Sequence, residues 1–129
     1  MASLRSKGID HLNLHVKNLK QSIAFYEQLL GFTELEDLPE DNGKIIGDKS
    51  AKLAIYENAD FGGHKKIGLN HIGFNIENFG DVEARCKELG IEILYGGVVR
   101  WPRSQSIYVK DPNGYELELT ETWGAALAS

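Results

Sequence analysis

The chain has 129 residues, 42% of them hydrophobic, and a formal net charge of −5, the size and composition of one ordinary domain with a core to bury. Acids and bases are interspersed, so the basic face that nucleic-acid phosphates reward is missing, and no stretch approaches the roughly 20 apolar residues of a membrane span. The opening M-A-S-L-R-S-K-G has charge but no apolar leader segment; a soluble, cytoplasmic protein without nucleic-acid or membrane partners is expected.

In chain order, the first element is I-D-H-L-N-L-H-V, residues 9–16. Its strict alternation predicts a strand with His11, Asn13 and His15 on one face and Leu12, Leu14 and Val16 on the other. A helix comes next. Asn18 has Gln21 three residues on, as an N-cap should, Ile23, Tyr26 and Leu30 fall near one face, and Gly31 suits a left-handed C-cap. Three strand candidates succeed it, F-T-E-L-E-D-L, K-I-I-G-D and A-K-L-A-I-Y-E, with P-E-D-N-G breaking the first two apart. The loop N-A-D-F-G-G-H-K-K, residues 58–66, separates this set from the second half of the chain, and its Lys65-Lys66 pair and His64 read as solvated surface.

The second half repeats the first. L-N-H-I-G-F-N-I, residues 69–76, matches residues 9–16 with His71 in register with His11. A second helix is capped by Asn78 or Asp81, carries Val82, Cys86 and Leu89 as its apolar stripe, and closes at Gly90. Cys86 is the only cysteine, which excludes an intrachain disulfide and suits a core position. Strands are then expected in I-E-I-L-Y-G-G-V-V, S-I-Y-V-K and Y-E-L-E-L-T, with D-P-N-G turning the last two. Each half therefore reads as βαβββ, module one about 8–57 and module two about 68–121, within a single domain, 1–129. The fold class is α+β: two paired modules forming a curved mixed sheet around a cleft, each with one sheet face covered by its helix.

Alternation places His11, Asn13 and His15 from one module, and His71, Gly73 and Asn75 from the other, on the face away from the helices. Glu116, Glu118 and Thr120 share that face in the last strand, and Tyr108 lies with Ser106 and Lys110 in the strand before it. A solvated sheet face is one account of such a row. The repeat supports another, because two imidazoles and a carboxylate are a coherent set for a divalent metal that keeps positions open for substrate.

The run I-D-H-L-N-L-H-V-K-N-L-K-Q-S-I-A-F-Y-E-Q-L-L-G-F, the later N-H-I-G-F and the closing I-Y-V-K-D-P-N-G-Y-E-L-E-L resemble the vicinal oxygen chelate superfamily, the group of glyoxalase I, the bleomycin resistance proteins, the fosfomycin resistance thiol transferases and the extradiol dioxygenases. The resemblance spans nearly the whole chain. It implies a homodimer with one divalent metal ion (Fe, Mn, Zn or Ni) held by His11, His71 and Glu118, with His11 coming from the other subunit if modules are exchanged. It also implies an active-site role for Tyr108. The further ligand of glyoxalase I falls on Ala54, which cannot bind metal, with Tyr56 or Glu57 next nearest; Arg100 and Arg103 only approximate the basic residues of the fosfomycin enzymes.

Two functions are expected to compete. One is a metal-dependent enzyme acting on a small oxygen-chelating substrate by dioxygenase-, lyase- or thiol-transferase-like chemistry, with Tyr108 as proton donor, His15 as base or as a hydrogen-bonded strand residue without a catalytic task, and Asn13, Asn75 and Arg103 binding substrate. The other is a metal-free protein that sequesters a cationic drug in a dimer groove, with Trp101 available for stacking. Trp101 beside Pro102 is also read as ordinary loop packing, and Trp123 as a tail anchor.

Overall fold

A computed structural model describes residues 2–121; Trp123 lies outside them. The chain divides into two compact units, the first ending at Phe61 and the second beginning at Gly62. Each has the order βαβββ and its own four-stranded sheet, so the expected α+β class holds with two mixed sheets rather than one continuous sheet.

In the first unit β1 (Leu12–Val16), α1 (Leu19–Leu30), β2 (Thr33–Leu38), β3 (Gly43–Gly47) and β4 (Lys52–Glu57) form a sheet of order β1-β4-β3-β2. β1 runs parallel to β4, and the remaining pairs are antiparallel hairpin partners. Local chemistry sets these boundaries. The Asn18 side chain accepts the Gln21 N–H at 2.8 Å, filling one of the orphan donors of a helix start. Gly31 takes φ 70° and returns its N–H to Glu27, a left-handed cap that glycine adopts without penalty. Leu14, Val16, Tyr26, Phe32, Ile46, Leu53 and Ile55 form the core, with the Tyr26 ring edge-on to Phe25 and stacked on Phe32. Ser22 is fully buried beside Tyr26, while Ile23 and Leu30 are half-buried.

The second unit repeats the plan with β5 (Ile72–Asn75), α2 (Val82–Leu89), β6 (Val99–Trp101), β7 (Ser104–Lys110) and β8 (Glu116–Thr120), ordered β5-β8-β7-β6. Val82 and Cys86 are buried, and burial pushes the Cys86 thiol up from its ordinary pKa, which makes it inert. A short 3-10 turn, Phe79–Asp81, precedes α2, and neither Asn78 nor Asp81 caps the helix by its side chain; the Asn78 amide instead donates to the Asp81 carboxylate at 3.1 Å. In the D-P-N-G turn, Asp111 accepts the N–H groups of Asn113 and Tyr115.

The first strand expected after α2 is displaced toward the C-terminal end of its stretch. Ile91–Leu94 alternates like a strand, yet β6 begins only at Val99. Tyr95, Gly96 and Gly97 all take positive φ, at 58°, 79° and 123°, which turns the backbone, and the segment keeps a single ladder-like bond, Leu94 N–H to the Tyr108 carbonyl at 2.8 Å.

Candidate metal and substrate site

The parallel pairing of β5 with β8 and the antiparallel pairing of β7 with β8 decide which side chains meet. Gly73 and Tyr108 both register with Glu118, and Ser106 with Thr120. Because alternate residues share a face, Ser106, Tyr108, Glu116 and Glu118 lie together. β8 is buried along its length, Glu116 and Glu118 being 3% and 6% exposed. On β8 the polar row is therefore not a wet face, although His71 and Asn75 are exposed. Buried carboxylates require partners, and these have them.

Glu118 receives the Ser106 hydroxyl on one oxygen at 2.6 Å and faces His71 Nε2 with the other at 3.0 Å. Burial, together with the Glu118 charge beside it, pushes the Tyr108 pKa up to about 12. The phenol thus stays protonated across the neutral range. Trp101 ends β6 and is 39% exposed. The rings of His71 and Tyr108 meet edge to face at 6.0 Å.

His71 is oriented from behind. Its Nδ1 lies 2.7 Å from the Asn70 side-chain oxygen, so Nδ1–H donates there while Nε2 confronts a carboxylate oxygen. Both ring nitrogens point at acceptors. Either a second proton on the ring or a cation between Nε2 and Oε1 completes the arrangement. Neighbouring donors about 3 Å apart are what a metal with bonds of about 2.0–2.2 Å draws around itself, and a histidine fixed through its other nitrogen is the usual outer support of such a ligand. His71 and Glu118 thus present two donors of the kind a divalent metal takes, short of the three or more of a complete site among the described residues.

A second cluster adjoins the first. Glu116 accepts the Tyr95 hydroxyl in a short hydrogen bond and the Lys66 ammonium at 3.0 Å. Burial works against its charge, but Tyr95 and Lys66 outweigh that and hold its carboxyl below the ordinary range. The Tyr95 ring meets Tyr108 edge-on at 5.3 Å. Lys66 is exposed in its loop as expected, but it is also paired: its partner lies fifty residues on, and Lys66 itself takes φ 61°. His64 is likewise no plain surface residue; half-buried, it stacks on Tyr115 at 4.6 Å, and its backbone N–H donates to the Asn113 carbonyl at 2.8 Å. Sequence reading missed Tyr95, for which no periodic signal exists in a loop.

His11, Asn13 and His15 belong to the first unit and are exposed. His11 pairs through Nδ1 with Asp10 at 2.8 Å, an interaction that, with Lys52, holds the Asp10 carboxyl below its ordinary pKa. Asn58 binds the Asp60 N–H through its oxygen, so its amide nitrogen is the donor to His15 Nδ1 at 2.8 Å. His15 held this way presents Nε2–H, and the expected base role requires it to release Asn58. Asn75 is exposed on β5, and Arg103 is exposed in the β6–β7 turn. Among the described residues, no group of three or more His, Cys, Asp or Glu side chains gathers as a metal site; the structure brings together His71 and Glu118, one pair of the expected three. Among those residues, too, no helix is long and apolar enough to cross a membrane.

The strand registers within the two sheets correspond. Asn13 pairs Ala54 as Gly73 pairs Glu118, and Ile45 pairs Ala54 as Tyr108 pairs Glu118. Ala54 therefore occupies in the first sheet the place of Glu118 in the second, as expected from matching L-A-I-Y to L-E-L-T, and the first sheet supplies no carboxylate there.

The metallothiol transferase FosB of Staphylococcus epidermidis is 32% identical over 123 residues, covering 88% of this chain and 82% of that protein. A probable lactoylglutathione lyase of Vibrio cholerae is 28% identical over 131 residues, covering 86% and 88%. Among solved structures, a glyoxalase family protein from Enterococcus faecalis superposes with a TM-score of 0.74 at 28% identity, covering 89% of this chain and 98% of that one. The family model of the Glyoxalase/Bleomycin resistance protein/Dioxygenase superfamily matches residues 8–119, and the chain belongs to that superfamily.

Proposed function

We propose that the protein is a divalent-metal-dependent enzyme of the vicinal oxygen chelate type, acting as a homodimer on a small substrate that chelates through two oxygens. The observation that carries this reading is the His71–Glu118 pair, with two metal-type donor atoms 3.0 Å apart and supports on both, Asn70 behind the imidazole and Ser106 behind the carboxylate. His71 and Glu118 would hold the ion, with His11 as third ligand, supplied by the same or the partner subunit. When bound, the metal supplies Lewis acidity that polarises a substrate oxygen.

The chain's own groups do the rest. Ser106 and Asn70 fix the ligand side chains, sparing reorganisation. Tyr108, a phenol that stays protonated at neutral pH, donates a hydrogen bond or a proton to the substrate oxygen on which negative charge develops. Asn13, Asn75 and Arg103, all exposed, would contact the substrate. Relatives named for thiol transfer and for lactoylglutathione lysis support metal-assisted chemistry without choosing a reaction.

The test is metal analysis of protein purified without chelator, for wild type and for His71→Ala, His11→Ala and Glu118→Gln. Stoichiometric metal in the wild type and its loss in all three variants supports the reading. Absence of metal under several supplied cations refutes it and leaves the metal-free, drug-sequestering alternative.

A further inference from the structure

The two halves of the chain repeat more than their leading histidines. I-D-H-L, residues 9–12, stands in register with L-N-H-I, residues 69–72, and in each the residue before the histidine sets a side-chain oxygen against the ring. Asp10 Oδ2 lies 2.8 Å from His11 Nδ1, and Asn70 Oδ1 lies 2.7 Å from His71 Nδ1. Within a strand, consecutive side chains point to opposite faces and cannot meet in this way. Both pairs stand just ahead of a strand, before Leu12 of β1 and Ile72 of β5, where the backbone leaves two neighbouring side chains free to turn toward each other.

At His11 the partner decides where the hydrogen sits. An ionised aspartate only accepts, whereas a neutral imidazole has one N–H and one bare nitrogen. The bond to Asp10 therefore puts the hydrogen on Nδ1 and leaves the lone pair on Nε2. Nε2 has no partner among the described residues, and the His11 side chain is 49% exposed, so the ring is able to receive a ligand. Asp10 is steadied in turn from the neighbouring strand. Lys52, the first residue of β4, lies 4.0 Å from its other oxygen, and β4 pairs with β1. A carboxylate behind an imidazole also makes it a more basic ligand, which the neutral Asn70 does not do for His71.

We infer that Asp10 is a positioning residue, which fixes His11 as its Nδ1–H tautomer and so presents Nε2 as a metal donor. The role rests on the reading of His11 as third ligand, while the tautomer is a property of the metal-free protein.

The test reads the imidazole nitrogens of the metal-free protein by NMR at about pH 9, where a histidine of ordinary pKa is neutral. Wild-type His11 should show a protonated Nδ1 and a bare Nε2. Asp10→Ala should move it toward the Nε2–H form that an unconstrained imidazole favours. Asp10→Asn, whose amide oxygen can accept as that of Asn70 does, should restore the wild-type pattern. Competition titration with Zn2+ then reads the consequence: Asp10→Ala should bind about 10–100-fold more weakly at unchanged stoichiometry, with Asp10→Asn between it and the wild type. The Asp10 side chain is 78% exposed, so the three proteins should melt alike. A wild-type His11 in the Nε2–H form, a tautomer that ignores Asp10→Ala, or equal zinc affinity in wild type and Asp10→Ala overturns the inference and leaves the metal reading standing. The expected tautomers in a protein that binds no zinc overturn the ligand reading, and with it the role given to Asp10.

Discussion

Replacing Ser106 by alanine isolates the support behind the candidate ligand Glu118. The Ser106 side chain is fully buried, and its hydroxyl donates to a carboxylate oxygen at 2.6 Å, a charge-assisted bond of the short, strong kind. Hydrogen bonds to charged groups contribute about 1.5–3 kcal/mol to stability. For a domain of this size that is a fall of about 5–15 °C in melting temperature. The fold should survive, because Glu118 keeps His71. If the hydroxyl also holds the carboxylate in place for a metal, Ser106→Ala should weaken metal affinity about 10–100-fold without changing stoichiometry. Thermal melts of the metal-free protein and competition titration of the loaded one read the two effects separately. The control is Ser104→Ala, two residues along the same strand, whose hydroxyl meets the neutral Thr120 hydroxyl at 3.2 Å. It should cost about 0.5–1.5 kcal/mol and leave metal binding alone. A Ser106→Ala protein that melts like wild type and binds metal equally well refutes the argument.

Asp48 accepts bonds from Ser50 and Ala51 in the β3–β4 turn; burial opposes its charge, yet these bonds hold its carboxyl below its ordinary value of 3.8. A depressed folded-state pKa contributes stability above the unfolded value that disappears as pH falls through the folded one, so the stability gap between wild type and Asp48→Asn should be present at about pH 6–7 and close below about 3.8 in melts across pH. Gly47→Ala should destabilise strongly, since at φ 154° the new methyl carbon would overlap the Ala51 carbonyl oxygen; a denaturation midpoint equal to wild type contradicts this. Ala54→Glu should lower stability by about 3 kcal/mol or more, as a charge placed without partners at a site 3% exposed, and should add no metal equivalent in elemental analysis.

Signals that rest on neighbours in sequence were readable. The Asn18 cap, the Gly31 and Gly90 terminators and the D-P-N-G turn each need only a few consecutive residues, and the structure has them. Alternation, doubled by the repeat, set His71 and Glu118 on one face. The features that escaped depend on contacts far apart in the chain. Lys66 pairs with a carboxylate fifty residues away, which a loop reading of two adjacent lysines has no means to detect. Ile91–Leu94 carries the alternation of a strand, but the residues after it commit to positive φ, and backbone sign outweighs side-chain period. Burial of the whole of β8 was hidden too, because alternation reports which residues share a face and not whether that face is covered.

The repeat is also unequal, and the inequality has a packing cause. Both halves keep the leading histidine, yet a buried carboxylate survives only where donors surround it. In the second sheet Glu118 has Tyr108 opposite and Ser106 beside it on β7. The corresponding positions of the first sheet hold Ile45 opposite Ala54 and Gly43 opposite Tyr56, and neither Ile45 nor Gly43 offers a side-chain donor. Nor does the first sheet have room to acquire one at Gly43, because a methyl carbon there would lie 2.6 Å from the Tyr56 ring. Substituting Ala54 alone therefore buries a charge, and substituting Gly43 to receive it displaces Tyr56. The first unit is committed to an apolar surface at the place where the second carries its acid, and that asymmetry leaves Glu118 without a counterpart in the first sheet.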